Sequence, residues 1–207
     1  MSDVWTLLLH LEGPMQSWGY RSRFDYRDTA LEPTRSGVIG LICAAMGIAR
    51  DDPLSRFNSI RMGIRVDKEG KIERDYHTAL DVVKADGSEK DTVVSLRDYL
   101  ADAIFTVGLE STDRSLLEQI AADLKSPCWT LFLGRKAFPL TVPPLKPSDV
   151  PMEGKLENHL LKGEGDKRVI LEDPSGERTQ HDWPLNFDKR NFMPRTTNTR
   201  FIKEIAP

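Results

Sequence analysis

Two strand–helix–strand patterns, separated by a long polar segment, constrain the fold of this chain more than any other feature. The first pattern predicts a strand at 4–11, a helix at 36–48 and a strand at 60–66. The first strand is apolar on both faces, which indicates a central position in a sheet. The second strand alternates apolar residues with basic or small ones, which predicts one buried face and one exposed basic face. The chain is therefore expected to pack helices on a sheet.

The second pattern predicts a strand at 100–110, a helix at 112–124 and a strand at 129–133. This helix carries a single apolar stripe and ends where Pro127 follows Ser126. The combined order is β-α-β-β-α-β, which is typical of an α+β, ferredoxin-like (RRM-like) domain with both helices on one face of the sheet. We expect this domain to occupy residues 1–139.

The segment at 68–98 is polar, alternates weakly and is broken by Asp86-Gly87. It predicts a long β-hairpin arm between the second and third strands, with a mobile surface loop as the alternative. After residue 139 the chain is irregular and rich in proline. A short strand at 168–172 and a turn at 173–176 predict a small β-rich C-terminal appendage at 140–207.

Composition excludes several classes of function. The chain has 207 residues and a net charge of −3, so a nucleic-acid site would have to be a local basic patch. Two cysteines make no disulfide framework, and no metal-ligand spacing or nucleotide-triphosphate loop is present. The sequence shows neither a basic leader nor an apolar run of bilayer length. It therefore predicts a cytoplasmic protein with no membrane contact, metal or cofactor.

The loop after the first strand interleaves arginines with aromatic residues. Arginines can bind phosphates, and aromatic rings can stack on unpaired bases, so the loop predicts a surface for single-stranded nucleic acid. An ordinary loop is the alternative, with aromatics in the core and arginines paired with Asp25 and Asp28. The candidate RNA contacts in this loop are Gln16, Ser17, Trp18, Arg21, Arg23, Phe24 and Arg27.

The start of the first predicted helix is a second candidate site. A helix N-terminus offers free backbone N–H groups and the positive end of a dipole, which favour a phosphate. A plain helix cap, with glycine needed for close packing, is the alternative. The candidate contacts here are Thr34, Arg35, Ser36 and Gly37.

Four further residues are candidate RNA contacts near the arm and the fourth predicted strand. His77 and Arg97 lie on the arm, and Arg135 and Lys136 follow Gly134. A histidine beside a tyrosine could also activate a ribose 2′-OH. No Lys-His pair is adjacent to it, so a structural or RNA-contacting role is favoured over catalysis.

Four motifs in order are similar to the fifth family of CRISPR-associated (Cas) proteins, in the RAMP superfamily, as found in type I-E Cascade complexes. They are GPMQSWG at 13–19, PTRSGVIGLICAAMG at 33–47, YLADAIFTV at 99–107 and LGRKAFP at 133–139. The match covers the N-terminal two-thirds of the chain. Each motif alone is a weak signal, and their combination is specific.

This resemblance implies a ferredoxin-like RAMP domain with a protruding thumb between the second and third strands. It implies a subunit that grips the 5′ handle of CRISPR RNA (crRNA). The implied partners are a CasC-type backbone subunit against the thumb, the large subunit nearby and, indirectly, target DNA. Because another subunit cuts the guide in such systems, the resemblance implies a non-catalytic role.

Two other functions stay open from the sequence. One is a metal-independent endoribonuclease that processes CRISPR precursor RNA, with His77 and a tyrosine as candidates. The other is a small-ligand-binding ferredoxin-like module unrelated to CRISPR systems.

Overall fold

A computed structural model describes residues 3–19, 25–83, 87–163 and 165–202 of the chain. The fold is a mixed α/β structure, rich in strands and with few helices, as the sequence predicted. The helices are α1 (Arg35–Met46), α2 (Arg114–Lys125) and α3 (Leu156–Leu160). The strands are β1 (Trp5–Glu12), β2 (Met15–Gln16), β3 (Tyr26–Arg27), β4 (Arg61–Lys68), β5 (Lys71–Val83), β6 (Glu89–Ala101), β7 (Ile104–Ser111), β8 (Met152–Glu153), β9 (Lys167–Glu172), β10 (Arg178–Asn186) and β11 (Asn191–Ile202).

The main sheet has seven strands in the order β10-β11-β9-β4-β7-β1-β8. Every pairing in this sheet is antiparallel, and β1 aligns with β7 along its full length. Alternate residues of β1 (Leu7, Leu9 and Leu11) are completely buried in the core that includes α1 and α2. The short α3 packs its two buried leucines in a smaller cluster with Val169 and Leu171. The finer ferredoxin-like topology stays a prediction.

The predicted fourth strand at 129–133 is wrong, because these residues form no strand. The free edge of β1 is covered instead by the two-residue β8 and by irregular chain before it. The amide of Thr141 donates to the carbonyl of Glu12 at 2.9 Å, and the amide of His10 donates to the carbonyl of Pro144 at 2.9 Å. Prolines lack an N–H group, so this proline-rich segment follows the edge without forming a regular ladder.

The predicted hairpin arm is present as the antiparallel pair β5 and β6, with 13 residues in each strand. The pairing extends from Lys71 opposite Ala101 to Val83 opposite Glu89. The third strand of the main sheet, β7, begins four residues later than predicted. The chain reverses at Asp102, which has a φ of 57°, so the residues before it belong to the arm. At the base of the arm, β2 and β3 pair with the other edge of β6.

The C-terminal part is strand-rich, as expected, and it continues the main sheet. β9 pairs with β4, and β11 and β10 follow outwards. One sheet therefore crosses the predicted boundary at residue 139, and a division into two domains stays a prediction. No helix in the described ranges is long and apolar enough to cross a membrane.

Candidate nucleic-acid interface

The first residues of the predicted RNA-binding loop are buried. Trp18 is 1% exposed and packs against Gly37, where a Cβ atom would lie 2.7 Å from the indole ring. The indole Nε1 of Trp18 donates to Oε1 of Gln16 at 3.1 Å, and Nε2 of Gln16 donates to the carbonyl of Ala103 at 2.7 Å. Ser17 is also buried, and its hydroxyl donates to the carbonyl of Asp98. The prediction that the side chains of Gln16, Ser17 and Trp18 contact RNA is wrong, because all three are buried and have their partners inside the protein.

The N-terminus of α1 already binds a carboxylate of the protein. The backbone amide of Arg35 donates to Oδ2 of Asp182 at 2.8 Å, and Asp182 is 1% exposed. Thr34 caps the helix, because its hydroxyl accepts from the amide of Gly37 at 3.2 Å. A phosphate at this place would have to displace Asp182, so the phosphate site predicted from Thr34, Arg35 and Gly37 is wrong. Ser36 is partly exposed, and its contact with RNA stays a prediction.

The Arg35 side chain is used inside the protein. It is 1% exposed, and its Nη1 donates to both oxygens of Glu172 at 2.9 and 3.0 Å. Its guanidinium also lies 3.7 Å from the centre of the Trp183 ring. Burial lowers the pKa of Arg35, and the charge of Glu172 opposes that shift. The side chain joins α1 to the C-terminal strands, and its guanidinium is too deeply buried to contact a phosphate.

A cluster of three arginines lies at the base of the arm. Arg27 on β3 and Arg97 on β6 are direct partners across two parallel strands. Arg135 reaches the same place from its loop, with Nη2 donating to the carbonyl of Asp98 at 2.8 Å and to that of Arg27 at 3.4 Å. We call Arg27, Arg97 and Arg135 the arm-base arginine cluster. All three were predicted from the sequence as RNA contacts.

The cations of the arm-base arginine cluster repel one another. Burial, and then the charge of Arg27, lowers the pKa of Arg97. Burial, and then the charges of Arg97 and Arg27, lowers the pKa of Arg135. Within the described ranges, none of the three is in an ion pair. The charge of Asp75 partly opposes this lowering of the pKa in Arg97 and Arg135, and the charge of Asp98 does so in Arg135. Because arginine stays protonated, a bound anion would relieve this repulsion.

Two other candidate residues extend this surface. His77 lies opposite Ser95 and therefore on the same face of the arm as Arg97, whose Nε donates to the hydroxyl of Ser95 at 3.0 Å. Lys136 is exposed beside Arg135. The roles of these two residues in RNA contact stay predictions. The candidates Arg21, Arg23 and Phe24 lie outside the described residues.

Sequence reasoning missed a second group on the reverse face of the arm base. Nε of Arg74 lies 2.7 Å from Oδ1 of Asp98, and the hydroxyl of Tyr26 donates to the other oxygen of that carboxylate. The hydrogen bond from Arg74 is the main cause that lowers the pKa of Asp98, and the hydrogen bond to Asp98 raises the pKa of Tyr26. The alternation of the arm indicates which residues share a face, but only the strand register shows that Arg74, Asp98 and Tyr26 meet. In the described part of the chain, no group of three or more histidine, cysteine or acidic residues could hold a metal.

Comparison with known proteins identifies the family. The family profile described as CRISPR-associated protein (Cas_Cas5) matches residues 6–198. The chain belongs to the Cas5 family of CRISPR-associated proteins. It is 36% identical over 152 residues to the CRISPR system Cascade subunit CasD of Escherichia coli K12, a match that spans 66% of this chain and 68% of that protein. The resemblance inferred from the four motifs is confirmed.

Two solved structures share the fold of this Cas5 protein over almost all of the chain. A chain of a CRISPR RNA-guided surveillance complex superposes with a TM-score of 0.82 and 32% identity, covering 96% of this chain and 90% of that one. A structure described as a Cas protein superposes with a TM-score of 0.77 and 37% identity, covering 96% and 95%. The likeness therefore includes the C-terminal third, where the sequence motifs gave little information.

Proposed function

We propose that this Cas5 protein is a non-catalytic subunit of a Cascade-type surveillance complex that holds the 5′ handle of crRNA at the base of its arm. The observation that carries the proposal is the arm-base arginine cluster, in which three mutually repelling cations share one face. Phosphates of a single strand are the anions that a row of guanidinium groups fits best. The similarity to CasD and to a chain of an RNA-guided complex supports the same conclusion.

The shape of the site favours single-stranded RNA over a duplex. The cluster lies on one face of a narrow β-sheet at the arm base, and His77 continues that face towards the tip. Such a surface can follow the backbone of an extended strand and leave its bases for partner subunits. In this arrangement the neighbouring subunits are a CasC-type backbone subunit and the large subunit. Target DNA meets the protein only through the guide, in the cytoplasm.

Alanine substitutions in the cluster test the proposal. We expect Arg27→Ala, Arg97→Ala and Arg135→Ala each to weaken binding of an RNA with the 5′ handle sequence by about fivefold or more, because each removes a charged hydrogen-bond donor. Fluorescence anisotropy across a salt series measures this. Each lost phosphate contact should lower the slope of log affinity against log salt by about 0.7. Arg114→Ala is the matched control, because Arg114 lies on α2 and pairs with Glu118.

Unchanged RNA affinity in all three cluster variants would contradict the proposal. Loss in the Arg114→Ala control to the same extent would show that overall charge, and not the cluster, governs binding.

The arrangement of the arm also supports a non-catalytic role. Tyr76 and His77 are adjacent in β5, so their side chains point to opposite faces of the strand and cannot act together on one ribose. Incubation of the purified protein with repeat RNA in a chelator tests this point. We expect no specific cleavage; cleavage that His77→Ala abolishes would establish the endoribonuclease instead.

A further inference from the structure

Asp98 lies on β6 at the arm base and is only 6% exposed. Its side chain connects β6 with β5 and β3. Its carboxylate accepts two hydrogen bonds from Arg74 on β5, at 2.7 and 3.2 Å, and one from the hydroxyl of Tyr26 on β3. Nη2 of Arg74 also lies 3.3 Å from that hydroxyl. Arg74, Asp98 and Tyr26 therefore form one row across the sheet, on the face opposite Arg97.

The backbone around this row holds the arm-base arginine cluster. The carbonyl of Asp98 accepts from Arg135, and Tyr26 directly precedes Arg27. β3 has only two residues, and the amide of Leu96 bonds to the carbonyl of Asp25 at its start. A strand this short gains little from its own ladder, so side-chain contacts are needed to fix its place.

The charges of the row are balanced within it. Arg74 neutralises Asp98, and it lowers the pKa of that carboxyl group, so the carboxylate stays ionised near neutral pH. The carboxylate of Asp98 is hydrogen-bonded on the reverse face, and its charge reaches the cluster only as a weaker attraction on Arg135. The three arginines of the cluster stay cationic and can bind an anion.

We propose that Asp98 is a positioning residue for RNA binding, which through Tyr26 and Arg74 fixes β3 against the arm so that Arg27 and Arg135 meet Arg97 on one face. This inference rests on the proposed function. It adds that residues on the reverse face, which do not touch the RNA, control its affinity.

The test uses the full-length chain and the same RNA carrying the 5′ handle. We expect Asp98→Asn and Arg74→Gln to weaken RNA binding by about tenfold and Tyr26→Phe by about threefold, since each breaks hydrogen bonds to a charged group. Asp188→Asn, in the exposed turn between β10 and β11, is the matched control for loss of one negative charge. Tyr26→Phe removes a single hydroxyl, so it carries the test alone if Asp98→Asn does not fold.

Two readouts separate positioning from a general loss of structure. In a double-mutant cycle, Tyr26→Phe should cost less affinity in the Arg27→Ala background than in the parent, because the row acts in part through that arginine. Ultraviolet titration should show the Tyr26 phenol, identified by comparison with Tyr26→Phe, ionising at a lower pH in Asp98→Asn than in the parent protein.

The outcomes distinguish this inference from the proposed function. If Asp98→Asn and Tyr26→Phe bind RNA like the parent while Arg97→Ala loses affinity, the positioning role is wrong and the proposed function stands. If Arg97→Ala, Arg27→Ala and Arg135→Ala also bind like the parent, both are wrong. Fully additive effects in the double-mutant cycle would likewise contradict the positioning role.

Discussion

Two arginines of this protein, Arg35 and Arg97, differ in the partners that surround them. Arg35 is enclosed beside Glu172 and Asp182, and Arg195 shares these two carboxylates. Arg97 is partly exposed, and in the described ranges it is in no ion pair with a carboxylate. The first arrangement uses the cation to join segments of the chain. In the second, the cation is a proposed contact for RNA.

The buried arginine gives a prediction about stability. We expect Arg35→Ala to lower the free energy of unfolding by about 3–5 kcal/mol, because it leaves the buried carboxylate of Glu172 without its main partner. Urea denaturation followed by circular dichroism measures this change. Arg97→Ala is the control and should change stability by less than about 1 kcal/mol. An Arg35→Ala protein of normal stability with weakened RNA binding would restore Arg35 as an RNA contact.

The sequence could not predict which single residues of the candidate site are buried and which are exposed. Trp18 and Arg27 lie in one loop of similar composition, yet Trp18 is in the core and Arg27 is exposed. Local patterns do not show which residue meets Gly37, because that contact depends on how α1 crosses the loop. Asp182 is far from α1 in the sequence, so nothing near Thr34 signals that the helix N-terminus is occupied.

Among the elements, those with a clear local pattern could be predicted. A continuous apolar run identified β1, alternation identified β4, and an apolar stripe identified α2. The arm was predicted from weak alternation on both sides of a turn signal. The apolar run at 129–133 resembles a strand but lies in loop structure, and the proline-rich chain after it covers β1 instead. Periodicity shows that a segment can form a strand and does not show whether an edge is free to receive it.

The distal arm gives a prediction at the scale of the element. Its apolar side chains are exposed, for example Leu80 at 69% and Val83 at 68%, so they add little to the core. Replacing residues 79–93 by Asn-Gly should close the shortened hairpin and change the melting temperature by only a few degrees. We expect handle RNA binding to persist and copurification with the other Cascade subunits to fall.

The control for the shortened arm is Leu80→Ser in the intact hairpin, which removes one exposed apolar group. RNA affinity that falls with the arm deletion as strongly as with Arg97→Ala would place the main RNA contact on the distal arm. Normal assembly of the shortened protein would contradict a protein-contacting role for the arm.

At the scale of the whole molecule, the sheet and the buried ion pairs bind the two parts of the sequence together. β9 pairs with β4, and the ion pair between Arg35 and Glu172 links α1 to β9. The match of the solved Cas structures over 96% of the chain agrees with one continuous fold. The net charge of the protein is −3, so the arm-base arginine cluster is a local cationic surface.

This continuity predicts the behaviour of a truncated protein. A fragment of residues 1–139 should be poorly soluble and lack a cooperative thermal transition, because it exposes the edge of β4 and removes Glu172, the carboxylate partner of Arg35. Soluble yield and circular dichroism on heating measure this. A well-folded fragment would support the division at residue 139, and the fragment with Arg35→Met tests whether the unpaired charge is the cause.

The carboxylate of Asp182 at the start of α1 has a consequence for biosynthesis. Asp182 lies on β10, so the ribosome makes α1 before the carboxylate that accepts from the amide of Arg35. During translation the first turn of α1 therefore has only its own cap at Thr34, and the contact with Asp182 forms after β10 has left the exit tunnel.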